Sequence, residues 1–133
     1  MKSILATILI FGFSTGALAV DDPRTFTCKD ANVGRGVAID ITYGIEPESG
    51  NLASDELTSY VALPDGGKIE EIEFSSNYVP REEVDGSITF RGYSDDVQLE
   101  FELDPKTSKA FATFRTSEEF PEYFNMDCVE LVP

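Results

Sequence analysis

Apolar and polar residues alternate along most of the chain beyond residue 19. In the clearest segment the apolar positions are Val97, Leu99, Phe101 and Leu103. Alternation with a period of two is typical of strands that bury one face. Turn formers separate the segments, as in the Pro-Asp-Gly-Gly run at 64–67, which suits a tight hairpin. We therefore predict an all-β domain of about eight strands, a small antiparallel β-barrel or β-sandwich, between which alternation does not distinguish.

Two segments depart from this simple pattern. Ile69 has the opposite parity to Ile72 and Phe74, and a β-bulge between them would return all three to one face. The segment at 117–124 combines a capping residue, two glutamates and aromatic residues at helical spacing. It predicts a short helical turn near the C-terminus, which Pro121 would keep from extending.

The first nineteen residues have a different character. Lys2 is their only charged residue, an apolar run covers 4–13, and Ala17 and Ala19 supply the small residues that a signal peptidase reads. The apolar run is too short for a membrane-spanning helix, which needs about 20 residues. We therefore expect a signal peptide at 1–19, cleaved between Ala19 and Val20, and a single β-domain at 20–133. The product would be a periplasmic or secreted protein.

The chain contains two cysteines, Cys28 and Cys128. In an oxidising compartment two cysteines allow one intramolecular pairing, and we expect a disulfide bond that ties the ends of the domain together. A zinc site is a poor alternative, because two thiolates without a histidine cannot complete the usual tetrahedral set.

The formal net charge is −15, with 25 acidic and 10 basic residues. Such a charge repels phosphate backbones and anionic lipids, so we expect neither nucleic-acid binding nor membrane insertion. A basic protein would instead be attracted. Acidity can also serve solubility alone, and the charge by itself does not identify a partner.

Histidine is absent, which removes the commonest general base and the usual partner of a serine or cysteine nucleophile. The densest carboxylate sets are Glu70, Glu71 and Glu73, and Glu100 with Glu102. Two such sets on facing strands could serve a glycosidase. The regular alternation around Glu100 and Glu102 indicates, however, that both point to water. We therefore predict a protein that is not an enzyme and keep a small carboxylate-dependent hydrolase as the third hypothesis.

Calcium is the metal that an acidic chain without histidine would bind. The tightest aspartate pairs are at 21–22 and 95–96, and neither belongs to an Asp-x-Asp-x-Asp loop. The aromatic residues could line a ligand pocket, although a β-domain of this size needs about as many to fill its core. No cofactor or metal ligand is assigned, and a small-ligand or calcium-binding β-barrel is our alternative function.

The connection at 75–86 is about twelve residues long, whereas its neighbours are shorter. Long connections on small β-scaffolds are disproportionately functional. This one combines an aromatic residue, a stiffening proline and mixed charge, a composition suited to a protein interface. The predicted partner-binding residues are Tyr78, Pro80, Arg81, Glu82 and Glu83. A plain crossover between strands is the competing interpretation.

In general form, an exported acidic β-domain with cysteines near both ends resembles the small periplasmic lysozyme inhibitors. The resemblance is one of architecture, since no segment matches their functional serine and lysine motifs, and architecture does not determine function. It implies at most an inhibitor-like role. Our leading hypothesis is an exported, monomeric, non-catalytic protein that binds a basic protein partner.

Overall fold

The computed structural model describes residues 20–32, 36–75, 79–117 and 119–132. The regular secondary structure of these residues is entirely β-strand, which confirms the all-β prediction. The strands are β1 (Asp21–Asp30), β2 (Val37–Ile45), β3 (Leu52–Ala62), β4 (Lys68–Glu73), β5 (Arg81–Glu82), β6 (Ile88–Ser94), β7 (Val97–Asp104), β8 (Lys109–Thr116) and β9 (Glu122–Leu131). Within these ranges no helix has the length and apolar character needed to cross a membrane. The predicted signal peptide at 1–19 lies outside the described residues.

The nine strands form one open antiparallel sheet with the order β4-β3-β2-β1-β9-β8-β7-β6-β5. Strands β1 to β4 make one meander and β5 to β9 make a second. The two meanders join where β1 pairs with β9, from Thr25 opposite Leu131 to Asp30 opposite Met126. The sheet is thus larger by one strand than predicted, and neither a closed barrel nor a two-sheet sandwich is confirmed.

The chain that leaves β4 touches strands from both meanders. The Phe74 N–H donates to the Leu57 carbonyl oxygen of β3 at 2.9 Å. One residue later, Ser75 and Tyr93 of β6 exchange two backbone hydrogen bonds of 2.9 Å each. An isolated bridge therefore connects the chain after β4 with the opposite meander.

Both meanders contribute side chains to one apolar core. Phe26 of β1, Phe90 of β6 and Phe101 of β7 are completely buried there. Their neighbours come from β2, β3, β8 and β9, so every long strand except β4 places buried residues in the cluster. Alternation along the strands produces this arrangement, because every second side chain of a strand points to the same face.

The predicted bulge in β4 is present. Val61 pairs with Ile69 and Ser59 pairs with Ile72, so two β4 residues, Glu70 and Glu71, stand opposite one β3 residue. Glu70 has a φ of 54°, consistent with the extra residue of a bulge. Ile69 and Ile72 consequently point to the same face of the sheet.

The predicted helical turn at 117–124 is wrong for the residues that are described. β9 begins at Glu122, and the segment before it has no helical residue in 117 and 119–121. Tyr123 is exposed while Phe124 is buried, which is strand alternation. Phe124 packs edge-on against Phe114 of β8, with ring centroids 5.6 Å apart. Packing of Phe124 against β8 therefore stabilises a strand here, although the spacing of the aromatic residues is typical of a helix.

The predicted disulfide bond joins Cys28 of β1 to Cys128 of β9, residues that face each other in the ladder. Both cysteines are buried among the core side chains. The bond is compatible with an oxidising, extracellular compartment.

Candidate functional site

The connection predicted at 75–86 is divided into shorter structures. β5 interrupts it and pairs with β6, Arg81 opposite Thr89. A tight turn follows, in which the Glu83 N–H donates to the Ser87 carbonyl oxygen at 2.7 Å. The glycine at 86 has a φ of 93°, which a residue with a side chain adopts rarely. The described residues 81–86 therefore form one strand and the turn of a short hairpin.

The predicted partner-binding residues have different environments. Tyr78 lies outside the described residues. Pro80 is buried, so it can stiffen the segment but offers little contact surface. Arg81, Glu82 and Glu83 lie at or beside β5, where the first two are exposed and the third is half-buried.

Arg81 and Glu83 form an ion pair on the outer face of the sheet. The Arg81 Nε donates to the Glu83 carboxylate at 2.8 Å, and this hydrogen bond raises the pKa of Arg81. The hydroxyl of Thr89 donates to the same carboxylate at 3.3 Å. Both charged side chains are thereby directed over β6.

A shallow trough runs along the outer face of β6, β7 and β8. It consists of three successive depressions that share lining residues: Glu100 belongs to the first and second, and Glu102 and Phe111 to the second and third. The central depression has a volume of about 320 Å³. We call this surface the outer trough; its lining includes Arg81, Glu83, Thr89, Arg91, Gln98, Glu100, Glu102, Phe111, Thr113 and Arg115.

An aromatic pair borders the centre of the outer trough. The rings of Phe111 in β8 and Tyr123 in β9 stack with centroids 5.9 Å apart and planes 19° apart. Their exposed fractions are 38% and 58%, so a large apolar area faces solvent. Phe111 and Phe114 lie three positions apart in β8, so they face opposite sides of the sheet. The sequence gave no indication that Tyr123 lies beside Phe111, because that contact depends on the pairing of β8 with β9.

Charged residues of both signs line the outer trough. Arg91 and Arg115 line one end, where Arg91 lies 3.7 Å from the Glu100 carboxylate. Asp85, Asp104 and Lys109 line the other end, beyond Glu102. Hydrogen bonds from the backbone and hydroxyl of Ser87 lower the pKa of Asp85. The surface thus offers fixed charges of both signs along one strand direction.

The two carboxylate sets singled out in the sequence lie on separate strands. Glu70, Glu71 and Glu73 are on β4 or its bulge, whereas Glu100 and Glu102 are on β7, and these strands are not neighbours in the sheet. In the part of the chain that is described, no three acidic or cysteine side chains are placed to hold a metal ion. Glu100 and Glu102 do point outward as predicted, but they line the outer trough.

An ion pair lies at the end of the core formed by the start of β1 and the end of β9. Arg24 donates two hydrogen bonds of 2.8 Å to the two carboxylate oxygens of Glu130. The pair raises the pKa of Arg24 and lowers that of Glu130. The guanidinium also lies 5.3 Å from the centre of the Phe26 ring. Burial raises the pKa of the neighbouring Tyr43, and Arg24 partly offsets this effect.

Comparison of the chain with protein-family models, with curated proteins and with solved structures found no match.

Proposed function

We propose that this protein is a non-catalytic binding protein that recognises a basic protein partner through the outer trough. The observation that carries the proposal is the stacked pair of Phe111 and Tyr123, exposed beside a trough with fixed charges. Aromatic residues and arginine are the residue types most enriched at the centres of protein interfaces. The ion pair of Arg81 and Glu83 brings part of the segment predicted from sequence into the same surface.

The shape of the outer trough favours an extended segment of the partner. Its three depressions follow the strand direction, and neighbouring depressions share lining residues. The excess of acidic over basic residues in the chain favours a partner of opposite charge and would accelerate its association. Tyr78 remains a predicted partner contact.

We further propose that the protein is exported and monomeric and that its sheet curls into a nearly closed barrel. The buried disulfide bond supports an oxidising compartment. The bridge between Ser75 and Tyr93 supports the approach of the two sheet edges. An inhibitor-like role is one form that this binding could take.

The proposal is tested by capturing the partner on immobilised protein from an extract of the source cells and then measuring its affinity directly. Replacing Phe111 and Tyr123 together by alanine should weaken binding by about 2 kcal/mol or more, because both contact surfaces are lost. Arg81→Ala should weaken it as well. High salt should release the partner, since salt screens contacts between exposed charges.

Phe120→Ala is the matched control, because Phe120 is 94% exposed and does not line the outer trough. It should leave the affinity within about 0.5 kcal/mol of the wild-type value. Equal affinities for the trough variant and this control would refute the proposal, provided that urea unfolding shows both variants to be folded.

A further inference from the structure

The central depression of the outer trough is shaped by short side chains on neighbouring strands. Thr89 of β6 and Thr113 of β8 line it, and Thr113 is buried, so it belongs to the floor. Glu102 of β7 stands between these strands and pairs with Thr89 on one side and with Phe111 of β8 on the other. Because phenylalanine is much larger than threonine, Phe111 forms a wall of the depression.

Tyr123 supports this wall from the side away from the depression. Phe111, but not Tyr123, lines the central depression, and the two rings are stacked with their planes 19° apart. Phe111 is 38% exposed, so part of its ring is left for contact with a partner. The face of an aromatic ring carries negative charge density and attracts cationic groups. The supported ring is therefore a surface on which a flat cation can pack.

A carboxylate stands beside the Phe111 ring. Glu102 and Phe111 are directly opposite each other in the ladder of β7 and β8, an arrangement that places the two Cβ atoms roughly 5 Å apart. Glu102 is exposed, and its carboxylate lies 3.3 Å from the hydroxyl oxygen of Ser87. That hydroxyl is neutral, so it leaves the negative charge of Glu102 in place. The ring and the carboxylate can therefore contact the same cationic group.

Two ion pairs include the other charged residues in the described lining of the central depression. The Arg81 Nε donates to the Glu83 carboxylate at 2.8 Å, and Arg91 lies 3.7 Å from the Glu100 carboxylate. Each pair is close to neutral as a whole, so Glu102 supplies the negative charge that is left over in this lining. Charge complementarity at the described surface therefore favours a cationic group beside Glu102.

We propose that the outer trough recognises an arginine of its partner, whose guanidinium lies flat on the Phe111 ring and donates hydrogen bonds to Glu102. This inference rests on the proposed function, because it names the side chain that the trough takes from a basic protein. A guanidinium is planar, so one face can pack on a ring while its N–H groups donate in the plane to a carboxylate. The ammonium group of lysine has no flat face and is more strongly hydrated. The site therefore prefers arginine to lysine at equal charge.

The test uses three small probes with blocked ends, the N-acetyl methylamides of arginine, lysine and citrulline. Citrulline has nearly the shape of arginine but carries no charge. Each probe is titrated at low salt into the isotope-labelled, disulfide-bonded protein, and NMR follows the backbone amides of β7 and β8. The arginine probe should bind saturably with a dissociation constant on the order of millimolar. Its affinity should be about threefold above that of the lysine probe and about fivefold or more above that of the citrulline probe.

Variants separate the role of the ring from that of the charge. Phe111→Leu keeps an apolar side chain but removes the ring, so the preference for arginine over lysine should disappear. Tyr123→Leu is the second ring variant, should Phe111→Leu unfold, and should reduce the same preference. Glu102→Gln should weaken the arginine and lysine probes by about two- to fivefold. Glu56→Gln is its matched control, because it removes the same charge from an exposed residue of β3 outside the outer trough, and it should leave both affinities unchanged.

Two results would overturn this inference. The first is an absence of saturable shifts around Phe111 and Glu102 when the arginine probe is added, and the second is equal affinity of the wild type for the arginine and lysine probes. Either result leaves the proposed function standing if replacement of Phe111 and Tyr123 by alanine still weakens binding of the captured partner. A partner that binds this double variant as tightly as the wild type refutes the proposed function, and with it the recognition of the partner's arginine.

Discussion

Asp40 connects three strands through single side-chain contacts on the outer face of the first meander. The hydroxyls of Thr27 in β1 and Tyr60 in β3 each donate to the same Asp40 oxygen at 3.0 Å. Lys68 of β4 approaches the other oxygen at 3.5 Å. Burial, followed by the hydrogen bond to Asp40, raises the pKa of Tyr60 to about 12. The tyrosine is therefore held in its neutral, donating form.

The raised pKa of Tyr60 predicts a loss of stability in alkali. The unfolded chain releases this proton near pH 10 and the folded chain near pH 12, so the stabilisation is complete below pH 10 and declines as the pH rises to 12. The decline should amount to about 1–2 kcal/mol in the free energy of unfolding. Tyr60→Phe should remove this part of the decline and should cost about 1 kcal/mol at pH 7 through the lost hydrogen bond.

Urea unfolding at a series of pH values from 7 to 12 measures both effects. Tyr123→Phe is the matched control, because it removes a hydroxyl from an exposed tyrosine of the outer face. If the free energy of unfolding of Tyr60→Phe fell with rising pH as steeply as that of the wild type, the decline could not be assigned to Tyr60.

At the scale of elements, the approach of β6 to the end of β4 depends on a glycine. A Cβ atom at Gly92 would lie 2.6 Å from the Phe74 Cβ and 3.1 Å from a methyl carbon of Leu57. Phe74 is itself buried and faces Phe114 of β8, with ring centroids 6.4 Å apart. The absence of a side chain in β6 thus allows an aromatic ring from the first meander to enter the core beside the second.

Gly92→Ala should therefore destabilise the fold by about 1–3 kcal/mol, the usual cost of overpacking a core. The Phe74 Cβ cannot move without its backbone, so the strain falls on the contact between the meanders. Gly67→Ala is the matched control, because the atoms nearest to its added Cβ are the movable ends of Asp65 and Leu63. Urea unfolding of the disulfide-bonded proteins measures the difference, and equal midpoints for the two variants would contradict the argument.

At the scale of the whole molecule, the two meanders are joined at the β1–β9 ladder. Six residue pairs form this ladder, and the disulfide bond lies within it, between residues 100 positions apart. The ladder and the bond act on the same two strands, so the cross-link holds the ends of the domain together even when the hydrogen bonds open. In the chain-entropy account, a cross-link that closes a loop of this length stabilises the folded state by up to about 4.7 kcal/mol, because it restricts the unfolded chain.

Replacing Cys28 and Cys128 together by alanine should lower the free energy of unfolding by about 2–4 kcal/mol. The expected protein is less stable but keeps the same sheet, because the core side chains remain. Urea unfolding of the variant, and of the wild type with and without reductant, measures the change. Peptide mapping without reductant should show the cross-link in the wild type. A variant as stable as the oxidised wild type would contradict the predicted contribution.

The sequence by itself determined the β-strand content, the bulge in β4 and the pairing of Cys28 with Cys128. Alternation is a local property, because successive side chains of a strand point to opposite faces wherever the strand lies in the sheet. The bulge could be inferred for the same reason, from the changed parity of Ile69. The disulfide followed from a count of two cysteines.

Tertiary structure alone decided which strands are neighbours, and with them the candidate sites. Alternation shows that a strand has a buried face but does not specify its partner, so the stacking of Tyr123 on Phe111 could not be anticipated. The segment at 117–124 was misread for a related reason. Its aromatics have helical spacing, but burial of Phe124 against β8 stabilises a strand, and such packing outweighs a local preference of a few tenths of a kcal/mol per residue.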